Sequence, residues 1–171
     1  MPSASERVRG LRTAGVAFAV AALACATVPA AGAQEAAACD KPVYLTLDTG
    51  HMSIAPLVAD VLKRQDVRVT FFAAAERTQT DGDSLDDHWA PWWKARAAEG
   101  HEFGSHTYDH AYWRGDVKGT PPSFRIKPSA GPQTGKESVW SAAQYCADIR
   151  KSSDRLAAIT GKKPLPLYRA P

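Results

Sequence analysis

The feature that most constrains the fold is the direct succession of an apolar run, a helical pattern and a second apolar run. Residues 43–47 (VYLTL) have the composition of a short buried strand, and residues 67–72 (VRVTFF) have it again. Between them, residues 54–65 (IAPLVADVLKRQ) place apolar side chains at helical spacing. Strand, helix and strand in succession indicate a parallel sheet with right-handed crossovers. We therefore expect the chain to belong to the α/β class.

The pattern then repeats. A second helix is predicted over residues 89–99, and a short strand ends at His106. Residues 111–135 are rich in proline and glycine with little periodicity, which predicts a long active-site or mobile loop. A long amphipathic helix over residues 139–159 and a fourth strand over residues 165–169 follow. Because a parallel sheet that stops on a strand leaves an unclosed barrel, we expect parallel strand-helix repeats of an incomplete (β/α) barrel.

The N-terminus has the features of a secretory signal peptide. Three arginines lie within the first 12 residues, an alanine-rich apolar run follows, and Ala31-Gly32-Ala33 forms a cleavage site. We expect residues 1–33 to be removed, which leaves an exported protein, periplasmic or extracellular, with no stable membrane anchor. Removal lowers the net charge from +3 to +1. Nothing in that charge favours nucleic acid as a partner.

Two cysteines remain after cleavage. An oxidising compartment would allow Cys39 and Cys146 to form a disulfide bond if the fold brings them together. Alternatively, Cys146 is a small core residue of the long helix, on an apolar face that the spacing assigns to Val139, Ala143, Cys146, Ile149, Leu156 and Ile159.

Two histidines follow the third predicted strand. His106 and His110 are four residues apart, so their imidazoles can converge on one metal ion if the backbone makes a single turn. The alternative is a pair of ordinary surface or capping histidines. A zinc-protease motif is excluded, because Thr107 stands where His-Glu-x-x-His requires glutamate.

Two further charged residues lie directly after predicted strands, Asp48 after the first and Arg169 at the end of the fourth. In β/α folds such residues gather at one edge of the sheet. A carboxylate, two imidazoles and a guanidinium there indicate a hydrolytic site, in which a metal lowers the pKa of water toward roughly 7 and Asp48 takes the proton. Arg169 would keep Asp48 ionised. Alternatively, Asp48 is a helix N-cap and Arg169 a surface charge.

Three motifs in this order resemble those of a known family. They are TLDTG at 46–50, GHEFGSHTYDH at 100–110 and Arg-Ala-Pro at 169–171. They resemble the motifs of the polysaccharide deacetylases with a NodB homology domain, carbohydrate esterase family four, and the resemblance runs from residue 41 to 171. It implies a distorted (β/α) barrel of which residues 34–171 form the N-terminal part. It also implies hydrolysis of carbon–nitrogen bonds in acetylated polysaccharide or oligosaccharide, most often the N-acetyl groups of N-acetylglucosamine polymers.

Carried over by position, the resemblance implies that Asp48 is the general base and that Arg169 steadies it. His106 and His110 become ligands of a divalent metal, with zinc favoured.

The chain departs from the family pattern at Thr49, where the family has a second aspartate that completes the metal site. A neutral hydroxyl is a poorer zinc ligand than a carboxylate, and His51 or Asp109 could take that place. The family's oxyanion-contacting residue and late histidine acid would follow Pro171. A second hypothesis is therefore a carbohydrate-binding or vestigial domain without turnover. A gene that continues past Pro171 with a late histidine would favour the enzyme.

Aromatic residues occur in two groups. We expect the tryptophans at helical spacing to belong to the core rather than to a sugar-binding platform, namely Trp89, Trp92 and Trp93. The aromatic residues around the histidines could stack on a sugar ring or be structural, namely Tyr108, Tyr112 and Trp113.

Overall fold

The computed structural model describes residues 41–119 and 121–171 of the chain. The signal peptide predicted over residues 1–33 lies outside the described residues, and so does Cys39. Within the described ranges, no helix is both long enough and apolar enough to cross a lipid bilayer.

A three-stranded parallel sheet forms the first half of the fold. Its strands are β1 (Thr46–Asp48), β2 (Thr70–Ala73) and β3 (Glu102–Ser105), in the order β1-β2-β3. Helix α1 (Ala55–Arg64) connects β1 to β2, and helix α2 (Ala90–Ala98) lies between β2 and β3. The α/β class and the strand-helix alternation are confirmed, with shorter strands than the apolar runs suggested.

An aromatic cluster packs against the parallel sheet. Trp93 and Phe103 are fully buried, and the Trp93 ring meets Phe71 and Phe103 edge-on at centroid distances of 5.8 and 5.9 Å. Trp89 and Trp92 are partly buried and pack against the same core. The prediction that the three tryptophans belong to the core is confirmed.

The prediction of a long irregular loop over residues 111–135 was wrong. The chain there forms β4 (Ala111–Val117) and β5 (Ser123–Pro128), which pair with β6 (Ser138–Ser141) in a second, antiparallel sheet of order β4-β5-β6. A β-bulge shifts the register at Gly115, whose φ is 144°. The bulge interrupts the period-two pattern that would have revealed the strands.

Helix α3 (Ala142–Thr160) begins later than predicted, because residues 138–141 belong to β6. Ser141 and Gln144 form a capping box at its start, and Gly161 ends it with a φ of 70°.

The buried face of α3 also differs from the prediction. It consists of Tyr145, Asp148, Ser152, Leu156 and Ile159. Two of these residues are polar because each satisfies backbone groups of the parallel sheet or of the loop that follows it. The Ser152 hydroxyl, for example, donates to the Ala73 carbonyl at 2.6 Å.

The predicted core role of Cys146 was wrong, since the residue is exposed, and Ala143 is exposed as well. The Cys39–Cys146 disulfide bond stays a prediction.

The predicted fourth strand is reduced to one parallel bridge between Ser105 and Tyr168. The segment nevertheless runs beside β3, with Leu165 N donating to Phe103 O at 2.8 Å and Arg169 N donating to Ser105 O at 2.9 Å. The segment therefore delivers Arg169 to the carboxyl end of the sheet without forming a strand.

Candidate active site

The structure brings the four predicted site residues together at the carboxyl end of the parallel sheet. Asp48 is the last residue of β1, and His106 follows β3 directly. Asp48 Oδ1 accepts a hydrogen bond from Arg169 Nη1 at 2.8 Å. His106 Nδ1 lies 3.0 Å from the Arg169 carbonyl oxygen, and the Nε2 atoms of His106 and His110 are 3.2 Å apart. Arg169 thus contacts both the carboxylate and the histidine pair.

The Arg169 guanidinium is fixed on three sides. Besides its ion pair with Asp48, it donates to Thr46 Oγ1 at 2.6 Å and lies over the Phe72 ring at 4.5 Å. The alternative of a free surface charge is therefore wrong. Asp48 is no helix N-cap either, since Ile54 occupies that position of α1. Asp48 Oδ2 has no hydrogen-bond partner among the described residues.

The two imidazoles are held through their Nδ1 atoms. The Arg169 carbonyl can only accept, so His106 carries its proton on Nδ1 and presents a lone pair on Nε2. His110 Nδ1 lies 2.5 Å from Ser129 Oγ, a hydroxyl that can accept or donate. Burial, followed by the neighbouring His106, lowers the pKa of His110 to about 4, so its imidazole is neutral at neutral pH. Imidazoles held through Nδ1 in this way have the orientation that is typical of metal-binding histidines.

The loop that carries the histidines is not a helical turn. Thr107 and His110 adopt left-handed backbone conformations, with φ of 62° and 47°. Asp148 on α3 accepts hydrogen bonds from the backbone N–H groups of Tyr108 and Asp109 at 2.9 and 3.1 Å. The fully buried Thr107 accepts from Ala111 N at 2.7 Å through its hydroxyl. A partner 40 residues away in sequence therefore shapes the loop.

Neither of the two candidates for a third ligand, His51 and Asp109, forms a hydrogen bond or ion pair with His106 or His110 within the described ranges. Thr49 Oγ1 is occupied by Ala74 N, which donates to it at 2.9 Å. Asp109 lies against Gly131, and His51 is exposed. Among residues 41–119 and 121–171, no group of three histidine, cysteine, aspartate or glutamate side chains is close enough to enclose a metal ion.

Glu76, three residues after β2, was missed by the sequence interpretation. Its Oε2 accepts from Thr49 Oγ1 at 3.1 Å, and its Oε1 lies 3.8 Å from His110 Nδ1. Burial raises the pKa of Glu76, and the hydrogen bond from Thr49 opposes that shift. The rule that selected Asp48, a polar residue just after a strand, would have found Glu76 too. Ser129 and Asp148 carried no such signal.

The aromatic residues around the histidines have different surroundings. The Tyr112 and His110 ring centroids are 5.0 Å apart, and Tyr112 is 39% exposed. Trp113 is 51% exposed and leans on Phe124. Tyr108 is covered by the Lys151 ammonium, 3.6 Å from its ring centroid. Tyr112 and Trp113 therefore present accessible ring surface beside the site, whereas Tyr108 does not.

The fold and the site define an α/β protein. At the carboxyl end of its parallel sheet lie a carboxylate paired with a guanidinium and two adjacent imidazoles. Residues 35–171 match the model of the polysaccharide deacetylase family, and the chain belongs to that family.

Individual relatives agree with this assignment. The chain is 37% identical over 75 residues to a chitin deacetylase of Colletotrichum lindemuthianum, an alignment covering 42% of this chain and 29% of that protein. It is 35% identical over 71 residues to a putative polysaccharide deacetylase of Bacillus subtilis, covering 42% and 22%. The solved structure of the Colletotrichum lindemuthianum chitin deacetylase superposes with a TM-score of 0.52 and 26% identity, covering 78% of this chain and 47% of that one. The chain thus spans less than half the length of these relatives.

Proposed function

We propose that the protein is a hydrolase that removes acetyl groups from carbohydrate, with the N-acetyl groups of N-acetylglucosamine polymers as its substrate. The observation that carries the proposal is the Asp48–Arg169 ion pair directly beside the His106–His110 pair. The similarity to a chitin deacetylase supports acetylated glucosamine polymer as the substrate class.

In this proposal Asp48 is the general base. Arg169 donates to Oδ1 and orients the carboxylate, which leaves Oδ2 to remove a proton from the attacking water. His106 and His110 would hold a divalent metal, with zinc favoured, which supplies Lewis acidity toward the water and the acetyl carbonyl. The water oxygen bonds to the carbonyl carbon, the carbon–nitrogen bond breaks, and the nitrogen gains one proton to balance the one that Asp48 took from the water, so that an amine and acetate leave.

Export fits the same proposal. A signal peptide over residues 1–33 would place the protein in the periplasm or outside the cell, where structural polysaccharides are accessible.

Acetate release from N-acetylglucosamine oligomers, with zinc present, tests the proposal. We expect the protein to release acetate from these oligomers, and Asp48→Asn to lower the rate by about a hundredfold or more. Asp60→Asn is the matched control, because Asp60 pairs with Arg64 on the surface of α1.

Acetate release that survives Asp48→Asn would overturn the assignment of the base. Failure to release acetate from any acetylated glycan, with metal present, would favour a carbohydrate-binding or vestigial domain instead.

A further inference from the structure

The outer face of the antiparallel sheet carries a group of cationic side chains beside the histidine pair. Ile126 of β5 is fully buried, whereas its neighbours Arg125 and Lys127 are exposed on the opposite side of the sheet. Tyr112 is the strand partner of Lys127, so the two side chains share that outer face. Arg114, two residues further along β4, is exposed as well. We call Tyr112, Arg114, Arg125 and Lys127 the basic face.

We propose that the basic face binds an acidic polysaccharide, so that the acetylated substrate of this protein carries carboxylates on its sugar residues. This inference rests on the proposed function and narrows its substrate class to polymers in which acidic sugars neighbour N-acetylglucosamine. The sugar that loses its acetyl group would lie at the histidine pair, and the basic face would hold the part of the chain next to it.

Tyr112 connects the basic face to the candidate active site. Its ring lies edge-on to His110, with the ring centroids 5.0 Å apart and an angle of 80° between the planes, and the residue is 39% exposed. Strand β4 begins at Ala111, directly after His110. A polysaccharide that extends from His110 along β4 would therefore pass over the Tyr112 ring, where a sugar can stack, before it reaches the cations.

A cavity of about 290 Å³ opens on this face. Its lining includes Tyr112, Arg114 and Lys127 from the two strands, and Ser129 from the loop that follows β5. Ser129 Oγ lies 2.5 Å from His110 Nδ1, so one wall of the cavity belongs to the histidine site. The lining combines an aromatic ring, two cations and a hydroxyl, and these groups suit a sugar that carries a carboxylate.

The cations of the basic face have no acidic partners in the described part of the chain. None of the ion pairs there includes Arg114, Arg125 or Lys127, and Glu137, which directly precedes β6, pairs with none of them. Three positive charges therefore share one surface without neutralisation by the described residues. Such a surface favours a ligand with several negative charges.

The β-bulge in β4 brings Arg125 into this group. Gly115 lies opposite Arg125, whose Nη2 donates to the Arg114 carbonyl at 3.3 Å. A Cβ at position 115 would lie 2.9 Å from Arg125 Nη2, so glycine leaves the space that the guanidinium occupies. The Arg125 side chain therefore lies across β4. Because β5 is the central strand of its sheet, protection of an open sheet edge does not explain its two cations.

Calorimetric titration of the purified protein with two matched oligosaccharides tests the proposal. One is a neutral N-acetylglucosamine oligomer, and the other is a hyaluronan oligomer of the same length, in which N-acetylglucosamine alternates with glucuronic acid. We expect the acidic oligomer to bind about tenfold more tightly at low ionic strength, because it can form several exposed ion pairs. This preference should disappear in about 1 M salt, where such pairs are screened.

Charge removal locates the preference on the basic face. The double variant Arg114→Gln/Lys127→Gln removes two positive charges but keeps polar side chains. We expect it to bind the acidic and the neutral oligomer with nearly equal affinity, because the cations that distinguish them are gone. Lys63→Gln/Lys94→Gln is the matched control, since it removes two exposed cations from α1 and α2 and should retain the preference. The urea midpoint of each variant verifies that it is folded.

Equal binding of the two oligomers by the unmodified protein would overturn the inference, and so would a preference that survives in Arg114→Gln/Lys127→Gln. Polyglutamate that competes as well as the acidic oligomer would also overturn it, because the face would then bind any acidic polymer. Acetate release from the neutral oligomer together with equal binding would leave the proposed function intact without this inference. Preferential binding of the acidic oligomer with no acetate release from either would support the binding surface and contradict the proposed function.

Discussion

The two sheets hold the two histidines by different means. His106 follows the parallel sheet, and its Nδ1 is bound by a backbone carbonyl, that of Arg169. His110 precedes the antiparallel sheet, and its Nδ1 is bound by the side chain of Ser129, just after β5. The first contact cannot be removed without disturbing the fold, whereas the second can be deleted by one substitution. Fold stability and metal affinity should therefore respond separately to mutations in the two regions.

The largest effect should come from the core of the parallel sheet. Trp93→Ala removes a fully buried ring and its Nε1–H hydrogen bond to the Ser84 carbonyl at 2.7 Å. We expect the free energy of unfolding to fall by about 3–5 kcal/mol, measured by urea denaturation. Trp113→Ala, on the exposed side of the antiparallel sheet, should cost about 1 kcal/mol or less. Equal losses would show that the sheets contribute alike.

An intermediate effect should come from Ser129. Ser129→Ala removes the oxygen that orients His110, and loss of such an outer hydrogen bond typically weakens metal binding by about 10–100-fold. Zinc titration measures the change, and urea denaturation should show a midpoint close to that of the unmodified protein. Ser123→Ala is the control, because its hydroxyl contacts only Pro121 O, at 3.3 Å, within the described residues. An unaltered zinc affinity in Ser129→Ala would mean that His110 binds metal without the hydrogen bond to Ser129.

The smallest effect should be a pH dependence of fold stability that arises from His101, beside the parallel sheet. His101 is buried at the start of β3 and accepts a hydrogen bond from Val69 N on Nδ1 at 3.2 Å. Burial lowers the pKa of His101, although Glu99 opposes the shift. The neutral form therefore stabilises the fold above the unfolded pKa of about 6.5, and this stability is lost as the pH falls through the lower folded pKa.

Urea midpoints at two pH values, one on each side of that unfolded pKa, measure this loss. His101→Asn retains an acceptor for Val69 N but does not titrate, so its midpoint should change less with pH. An identical pH dependence in the variant would assign the effect to other groups.

The sequence predicted the parallel half of the fold because its signals are local. Helical spacing in α1 and the apolar runs of β1 and β2 are visible in short windows. The placement of Asp48 and His106 followed from the rule that polar residues after strands meet at one edge.

The antiparallel sheet was missed for an equally local reason. In β5, Arg125 and Lys127 alternate with the buried Ile126 and Pro128. This alternation is too short, and too interrupted by proline, to be recognised in the sequence. The bulge at Gly115 breaks the corresponding period in β4.

Long-range contacts were beyond any pattern in the sequence. Ser129 and Asp148 meet the histidine loop only because β5 and α3 fold back on it, 19 and 40 residues away. The buried face of α3 was mispredicted for the same reason, since a polar residue that satisfies a distant backbone group looks like a solvent-facing one.

The left-handed residues of the histidine loop limit how far the five-residue motif can be transplanted. Thr107 and His110 each hold a backbone conformation that costs a residue other than glycine of the order of 1–3 kcal/mol. Here Asp148 compensates by capturing two N–H groups of the loop. If the same five residues were grafted onto a scaffold without a counterpart of Asp148, the loop backbone would relax to a less strained conformation. The two imidazoles would then separate. The conformation of this motif therefore depends on α3, which carries Asp148, as well as on the two histidines.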